Sequence, residues 1–292
     1  MGRATRVLCE GLYFGEAPRW REGRLWFSDF HAHSVMSTSL AGALRVEFEI
    51  DDRPSGLGWL PDGSLLVVSM TKRRVLRRAP NGDISIHADL SGIADFHCND
   101  IVVDALGRAY VGNFGFDHEA ELAARGREAV FAEHPTAKLA LVSPEGAVRV
   151  AAEELHFPNG SVITPEGETL IVGETFAGRL TAFDIAADGS LSRPRVWASL
   201  WPRLPDGICL DAEGAIWVAN PIARECVRVA EGGEILEVID TEHNAFACML
   251  GGEEGKTLFM MIAPSSNADK AAASRQGKIL IANVDVPRAG LP

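Results

Sequence analysis

Residues 205–220 read PDGICLDAEGAIWVAN. A short apolar run, Ile208 to Leu210, enters an acidic turn that ends on Gly214, and a second apolar run, Ala215 to Ala219, follows. Two such runs around a Gly-terminated turn are the sequence form of an antiparallel strand pair, because glycine tolerates the positive φ that closes the turn. The unit occurs five more times, as APRWREGRLWFSDF (17–30), LGWLPDGSLLVVSM (57–70), IVVDALGRAYVGN (101–113), SVITPEGETLIVGE (161–174) and ACMLGGEEGKTLFMMI (247–262). The turn glycines, Gly23, Gly63, Gly107, Gly167, Gly214 and Gly255, are spaced by 40, 44, 60, 47 and 41 residues. Strand–turn–strand units with a period of about 40–50 residues are the signature of propeller blades.

Further strands follow each unit, as in RVLRRAPNGDISIHADL (74–90) and KLALVSPEGAVRVAAEEL (138–155), which predicts four strands per blade. The expected fold is therefore all-β, a six-bladed β-propeller formed as one domain over residues 1–292. The 60-residue spacing contains an insertion at 117–136, rich in Ala, Glu and Arg and partly helical in character. Long insertions in compact domains are often lids or binding loops, and a tolerated surface excursion is the plainer alternative. The stretches RVLCEGLYF (6–14) and GKILIANVDV (277–286) predict that one end supplies the outer strand of a blade built from the other, removing a free sheet edge.

The composition narrows the function. A net charge of -12, from 28 Lys+Arg against 40 Asp+Glu, with no basic stripe interleaved with aromatics, argues against nucleic acid as a partner. No apolar run approaches the roughly 18–20 residues that span a bilayer, so no membrane partner is expected. Five scattered cysteines without CxxC spacing, and no signal-peptide core in residues 1–10, suggest reduced thiols and a cytoplasmic location. The oligomeric state is not legible.

Eight residues before the successive turn glycines stand Gly15, Ser55, Asn99, Asn159, Asp206 and Ala247, and Glu16 lies one residue past its phase. Equal phase in equal blades means equal height at one end of the innermost strand. Glu16, Asn99, Asn159 and Asp206 should thus converge on the channel axis as an all-oxygen set. Two carboxylates and two amides suit one hard divalent cation, Ca²⁺ first, then Mg²⁺ or Mn²⁺; Zn²⁺ would have no His or Cys to favour it. The bland alternative is turn chemistry, since Asn-Gly and Asp-Gly are common turn dipeptides.

The stretches GEAPRW (15–20), NDIVVDALGRAYVGN (99–113), PNGSVITPEGETLIVGET (158–175) and PDGICLDAEGAIWVAN (205–220) resemble the SMP-30/gluconolactonase/regucalcin family, in the family's order. The resemblance implies a divalent cation held by Glu16, Asn159 and Asp206, with Asn99 beside it and helping to bind substrate. It also implies Asp206 as general base in metal-dependent hydrolysis of a lactone or related cyclic ester. Phosphotriester or anhydride hydrolysis at the same metal is the alternative chemistry, as in the related diisopropylfluorophosphatase propellers. A non-catalytic calcium-binding propeller is the alternative of a different class. Members acting on sugar lactones often carry Arg where this chain has His97, two residues before Asn99, which shifts the expectation toward a less hydroxylated substrate.

His97, Asn99 and Asp100 are the candidate substrate-binding residues, with an Asx-turn as the plain reading of Asp100. Cys98 reads as a buried thiol, His31 and His33 as a polar loop, and the tryptophans mostly as packing between blades. Phe30, Phe114 and Phe116 are candidate pocket walls. Lys72, Arg73, Arg74, Arg77 and Arg78 read as a solvated face. No Gly-x-Ser-x-Gly elbow occurs, which argues against a serine hydrolase.

Overall fold

The computed structural model describes residues 3–292. After β1 (Arg6–Leu12) the chain forms a first blade, β2 (Gly15–Arg21), β3 (Arg24–Asp29), β4 (Ser34–Thr38) and β5 (Leu44–Glu49). The second is β6 (Pro54–Trp59), β7 (Leu65–Ser69), β8 (Arg74–Arg78) and β9 (Ile84–Asp89). In the third, β10 (Cys98–Val103) and β11 (Ala109–Asn113) are separated by α1 (His118–Arg125) and α2 (Arg127–Ala132) from β12 (Ala137–Val142) and β13 (Val148–Leu155). The fourth is β14 (Pro158–Ile163), β15 (Thr169–Glu174), β16 (Arg179–Ile185) and β17 (Leu191–Ser199). The fifth is β18 (Ile208–Leu210), β19 (Ile216–Asn220), β20 (Glu225–Val229) and β21 (Ile235–Asp240). The sixth has β22 (Asn244–Gly251) and β23 (Thr257–Ala263), then α3 (Ala268–Ser274), then β24 (Gly277–Asn283).

Each blade is a four-stranded antiparallel sheet, and β1 completes the sixth by pairing with β24, Arg6 opposite Ile281 and Leu12 opposite Gly277. The innermost strands, β2, β6, β10, β14, β18 and β22, touch one another in turn and close a ring around the channel. This is the six-bladed β-propeller that the repeat predicts. Inner strands are buried on both faces by neighbouring blades, so β14 is buried throughout, whereas the outer β5 is mostly exposed. Aromatic side chains fill some of the seams between blades. Trp20 of β2 stacks on Phe259 of β23 at 5.4 Å, and Trp26 meets Trp59 edge-on at 5.6 Å. Trp201 departs from the packing expectation: it is exposed and leans on Phe131 of α2.

Two local features position the channel mouth. First, pairing with the next strand slips near the start of five inner strands: Glu16 to Arg19, Pro54 to Leu57, Cys98 to Ile101, Pro158 to Ser161 and Ala245 to Ala247. Such irregularities re-aim side chains where regular pairing would point them into a seam. Second, Gly160 and Gly207 are not turn glycines, for neither has a positive φ. A Cβ on Gly160 would lie 2.5 Å from the Asp206 carbonyl oxygen, and one on Gly207 would lie 2.6 Å from the Ala247 Cβ. In both dipeptides glycine lets one inner strand approach the next.

At the opposite end of the channel the C-terminal segment crosses three blades. Arg288 N donates to Gly255 O at 2.9 Å, Ala289 N to Leu210 O at 3.0 Å, and Leu291 N to Ile163 O at 2.9 Å. The phase-matched positions therefore face the other mouth.

Candidate active site

At that mouth a ladder of hydrogen bonds orients the amides. Ser55 Oγ donates to Asn99 Oδ1 at 3.3 Å, and Asn99 Nδ2 donates to Asn159 Oδ1 at 2.7 Å. Asn159 Nδ2 donates to Thr175 Oγ1 at 3.1 Å, and Thr175 Oγ1 donates to Pro205 O at 2.8 Å. Because the Thr175 proton is committed to a carbonyl, that hydroxyl can only accept from Asn159. The Asn159 oxygen is thereby turned toward Asn99, with one lone pair left over.

Glu16 and Asp206 border the same cavity as the two amides. Burial first, and the charge of Asp206 second, push the Glu16 carboxyl well above its ordinary range; the Ala17 N–H at 3.1 Å opposes this. Burial pushes Asp206 up to about 8, partly offset by the neighbouring Asn159 amide. Two carboxylates crowded into one low-dielectric place resist ionising together unless a cation compensates them. The donor set, two carboxylates and two oriented amides, all oxygen, fits a hard divalent cation. Among the described residues no three His, Cys, Asp or Glu side chains group as a metal site, so amide oxygens would have to complete this one.

Asp100 is not in the cavity wall. Its Oδ1 accepts from Arg19 Nη2 at 2.7 Å and from Ile101 N at 2.8 Å. Arg19, buried, also donates to Leu57 O at 2.8 Å and Ile101 O at 2.8 Å, joining the inner strands of the first three blades. The geometry thus gives Asp100 an ion-pair partner in place of an open face toward substrate.

The cavity, about 770 Å³, is markedly phenylalanine-rich. Phe14, Phe96, Phe157 and Phe246 stand at the starts of inner strands. Phe30, Phe114 and Phe176 follow the ends of second strands, and Phe131 comes from α2. Phe116 lies behind this wall, against Phe176 at 5.5 Å. His97 lines the cavity, stacked on Phe96 at 4.0 Å and edge-on to Phe114 at 6.1 Å; burial and then the Arg53 charge push its pKa down. His118, at the start of α1, meets Phe114 edge-on at 5.0 Å; burial pushes its pKa down, and its Nδ1 has no partner among the described residues.

The 117–136 insertion contributes Asp117, Leu122, Arg127 and Phe131 to this cavity. A hydrogen bond between His134 and His156 at 2.9 Å ties its far end to the bend between β13 and β14. A second cover, around α3, adds Asn267 and Asp269. Cys98 is fully buried, and burial pushes its thiol up to about 12, which suits packing and not nucleophilic attack. His31 and His33 do not converge: one bonds to Ser266 O at 3.1 Å, the other to Asp52 O at 2.8 Å.

Sequence reasoning missed Thr175, Arg53, His118, α3 and most of the phenylalanines. For the phenylalanines a signal existed: Phe14, Phe157 and Phe246 each stand within two residues of a phase-matched position.

Comparison with known proteins shows the family and the fold. The SMP-30/gluconolactonase/LRE-like region matches residues 14–263. Rabbit (Oryctolagus cuniculus) regucalcin is 23% identical over 92% of this chain and 89% of its own length. The pentonolactonase XacC of Haloferax volcanii is 29% identical over 74% of this chain and 69% of its own. The crystal structure of a calcium-binding regucalcin from Agrobacterium tumefaciens superimposes with a TM-score of 0.79 at 20% identity, covering 99% of this chain and 97% of that one.

Proposed function

The chain belongs to the SMP-30/gluconolactonase/LRE-like family, and on that premise we propose that it is a divalent-metal-dependent hydrolase of a lactone or related cyclic ester. The observation that carries this reading is the meeting of Glu16, Asp206, Asn99 and Asn159 in one covered cavity. Glu16, Asn159 and Asp206 would hold the cation, with Asn99 in or beside its shell and within reach of substrate. When bound, the cation supplies polarisation of the lactone carbonyl and a lowered pKa for water. The kinship with a pentonolactonase supports the reaction class.

The chain's own residues supply the rest. Asp206 takes a proton from water as the water oxygen attacks the carbonyl carbon. The ring C–O bond then breaks, the leaving oxygen receives a proton, and a hydroxy acid results. The lid reading of residues 117–136 is supported by their share of the cavity wall, and covering it excludes bulk water. Asp100 acts beneath the site as the partner of Arg19, and His97 as part of the wall.

The test is turnover on a panel of lactones, aryl esters and phosphotriesters after chelation and after adding back Ca²⁺, Mg²⁺, Mn²⁺ or Zn²⁺. Chelation should abolish lactone hydrolysis and one cation should restore it. Asp206→Asn, with metal content measured in the same sample, should lower kcat by about 10²–10⁴. Phosphotriester turnover without lactone turnover would select the alternative chemistry. No hydrolysis with any of the four cations would leave a cation-binding propeller.

A further inference from the structure

Arg53 lies immediately before β6 and lines the cavity. Among the described residues its guanidinium makes no ion pair and no side-chain hydrogen bond, although acidic groups stand nearby in the sequence. Those groups are engaged elsewhere. Asp51 pairs with Lys72 Nζ at 2.8 Å. Asp52 Oδ2 accepts from Ser69 Oγ at 2.6 Å and Lys72 N at 3.0 Å, and its Oδ1 accepts from Thr71. Asp117, also in the cavity wall, caps α1, its Oδ1 accepting from Ala120 N at 3.0 Å. The other arginine of the wall, Arg127, lies over the Phe131 ring at 5.4 Å. Among the described residues Arg53 is thus a half-buried fork of five N–H donors with no protein acceptor, in a wall that brings eight phenyl faces together alongside the polar Glu119, Asn267 and Asp269.

A polyhydroxylated sugar lactone needs a donor or acceptor for each hydroxyl, and leaving hydroxyls unpaired against phenyl rings is costly. Those faces favour an apolar or aromatic body, and a single guanidinium fork matches one planar carboxylate. We infer that the substrate is a lactone with an aromatic or similarly apolar body that also carries a carboxylate, and that Arg53 binds this carboxylate. The inference rests on the lactone-hydrolase reading above and narrows it. The chemistry is unchanged: water adds to the lactone carbonyl, the ring C–O bond breaks, and the product is a hydroxy dicarboxylate.

The experiment compares kcat/KM for phenylparaconate, which bears the carboxylate, and γ-phenyl-γ-butyrolactone, which does not, in the metal-loaded wild type and in Arg53→Gln. The wild type should prefer phenylparaconate by about ten-fold or more, and Arg53→Gln should lower that preference by about 10–100-fold, the size of a charge-assisted pair. Equal use of both lactones by the wild type, or an unaltered preference in Arg53→Gln, overturns the inference. A calorimetric arm keeps it separate from the hydrolase reading. If neither lactone is hydrolysed, the hydrolase reading fails, and hydrocinnamate binding decides the site. Binding to the wild type that weakens about ten-fold or more in Arg53→Gln upholds the carboxylate site; equal or absent binding in both proteins overturns it.

Discussion

Thr175 decides which way Asn159 faces. Its hydroxyl gives its proton to Pro205 O and accepts from Asn159 Nδ2, so the amide oxygen is turned toward Asn99, whose Nδ2 it accepts from, with one lone pair left over. Partners of this kind typically change metal affinity by about 10–100-fold when removed. Thr175→Val, which keeps the shape and deletes the hydroxyl, should therefore weaken cation binding by about that factor in a calorimetric titration. Thr175→Ser should retain most of the affinity. Wild-type affinity in the valine variant would mean that Asn159 does not depend on this ladder. Thr175 falls inside the quoted motif PNGSVITPEGETLIVGET, yet nothing in its spacing marks it, because its role depends on where blade five brings Pro205. The ion pair of Asp100 is illegible for the same reason: its partner Arg19 is 81 residues away.

At the scale of elements, the inner strands form the frame of the site, and Arg19 ties three of them together. It donates from β2 to Leu57 O on β6 and to Asp100 and Ile101 O on β10. Both side chains are nearly enclosed, at 5% and 11% exposure, so breaking the pair leaves a carboxylate without compensation. Arg19→Met should destabilise the protein by about 3–5 kcal/mol, read as a lower urea midpoint. Adding Asp100→Asn should recover part of the loss, since the stranded charge is then gone. A midpoint for Arg19→Met equal to wild type would show that the strands hold without this tie. The strand pairs themselves were legible in the apolar runs and turn glycines. The repeated slip in pairing was not, because residue counts along one strand do not reveal where its neighbour skips.

The whole molecule converges two carboxylates at one mouth, and this sets how its stability follows pH. Burial pushes Asp206 up to about 8, well above the ordinary aspartate value of about 3.9. Between those values the folded chain holds a proton that the unfolded chain does not, so stability falls as pH rises through that window. A divalent cation acts in the opposite sense, since it binds the ionised carboxylates and stabilises the fold by mass action. The thermal midpoint in chelator should therefore fall between about pH 5 and pH 8, and the gain on adding Ca²⁺ should widen over the same range. Midpoints unaffected by Ca²⁺ at every pH would remove the cation from this site.

The sequence by itself determined the six-fold strand repeat, closure of the last blade by an end strand, and the shared height of Glu16, Asn99, Asn159 and Asp206. These follow from local rules: apolar runs need covered faces, positive φ needs glycine, and equal spacing in equal units gives equal position. Only the tertiary structure decided how the amides are oriented, that Asp100 is spoken for, that Arg53 has no side-chain partner among the described residues, and that eight phenylalanines from separate segments and α3 share one cavity. Those facts concern pairings between distant segments. Hydrogen bonds and burial at the channel mouth are settled by which side chains the ring brings within a few ångströms, and that distance is not encoded in any single stretch of the chain.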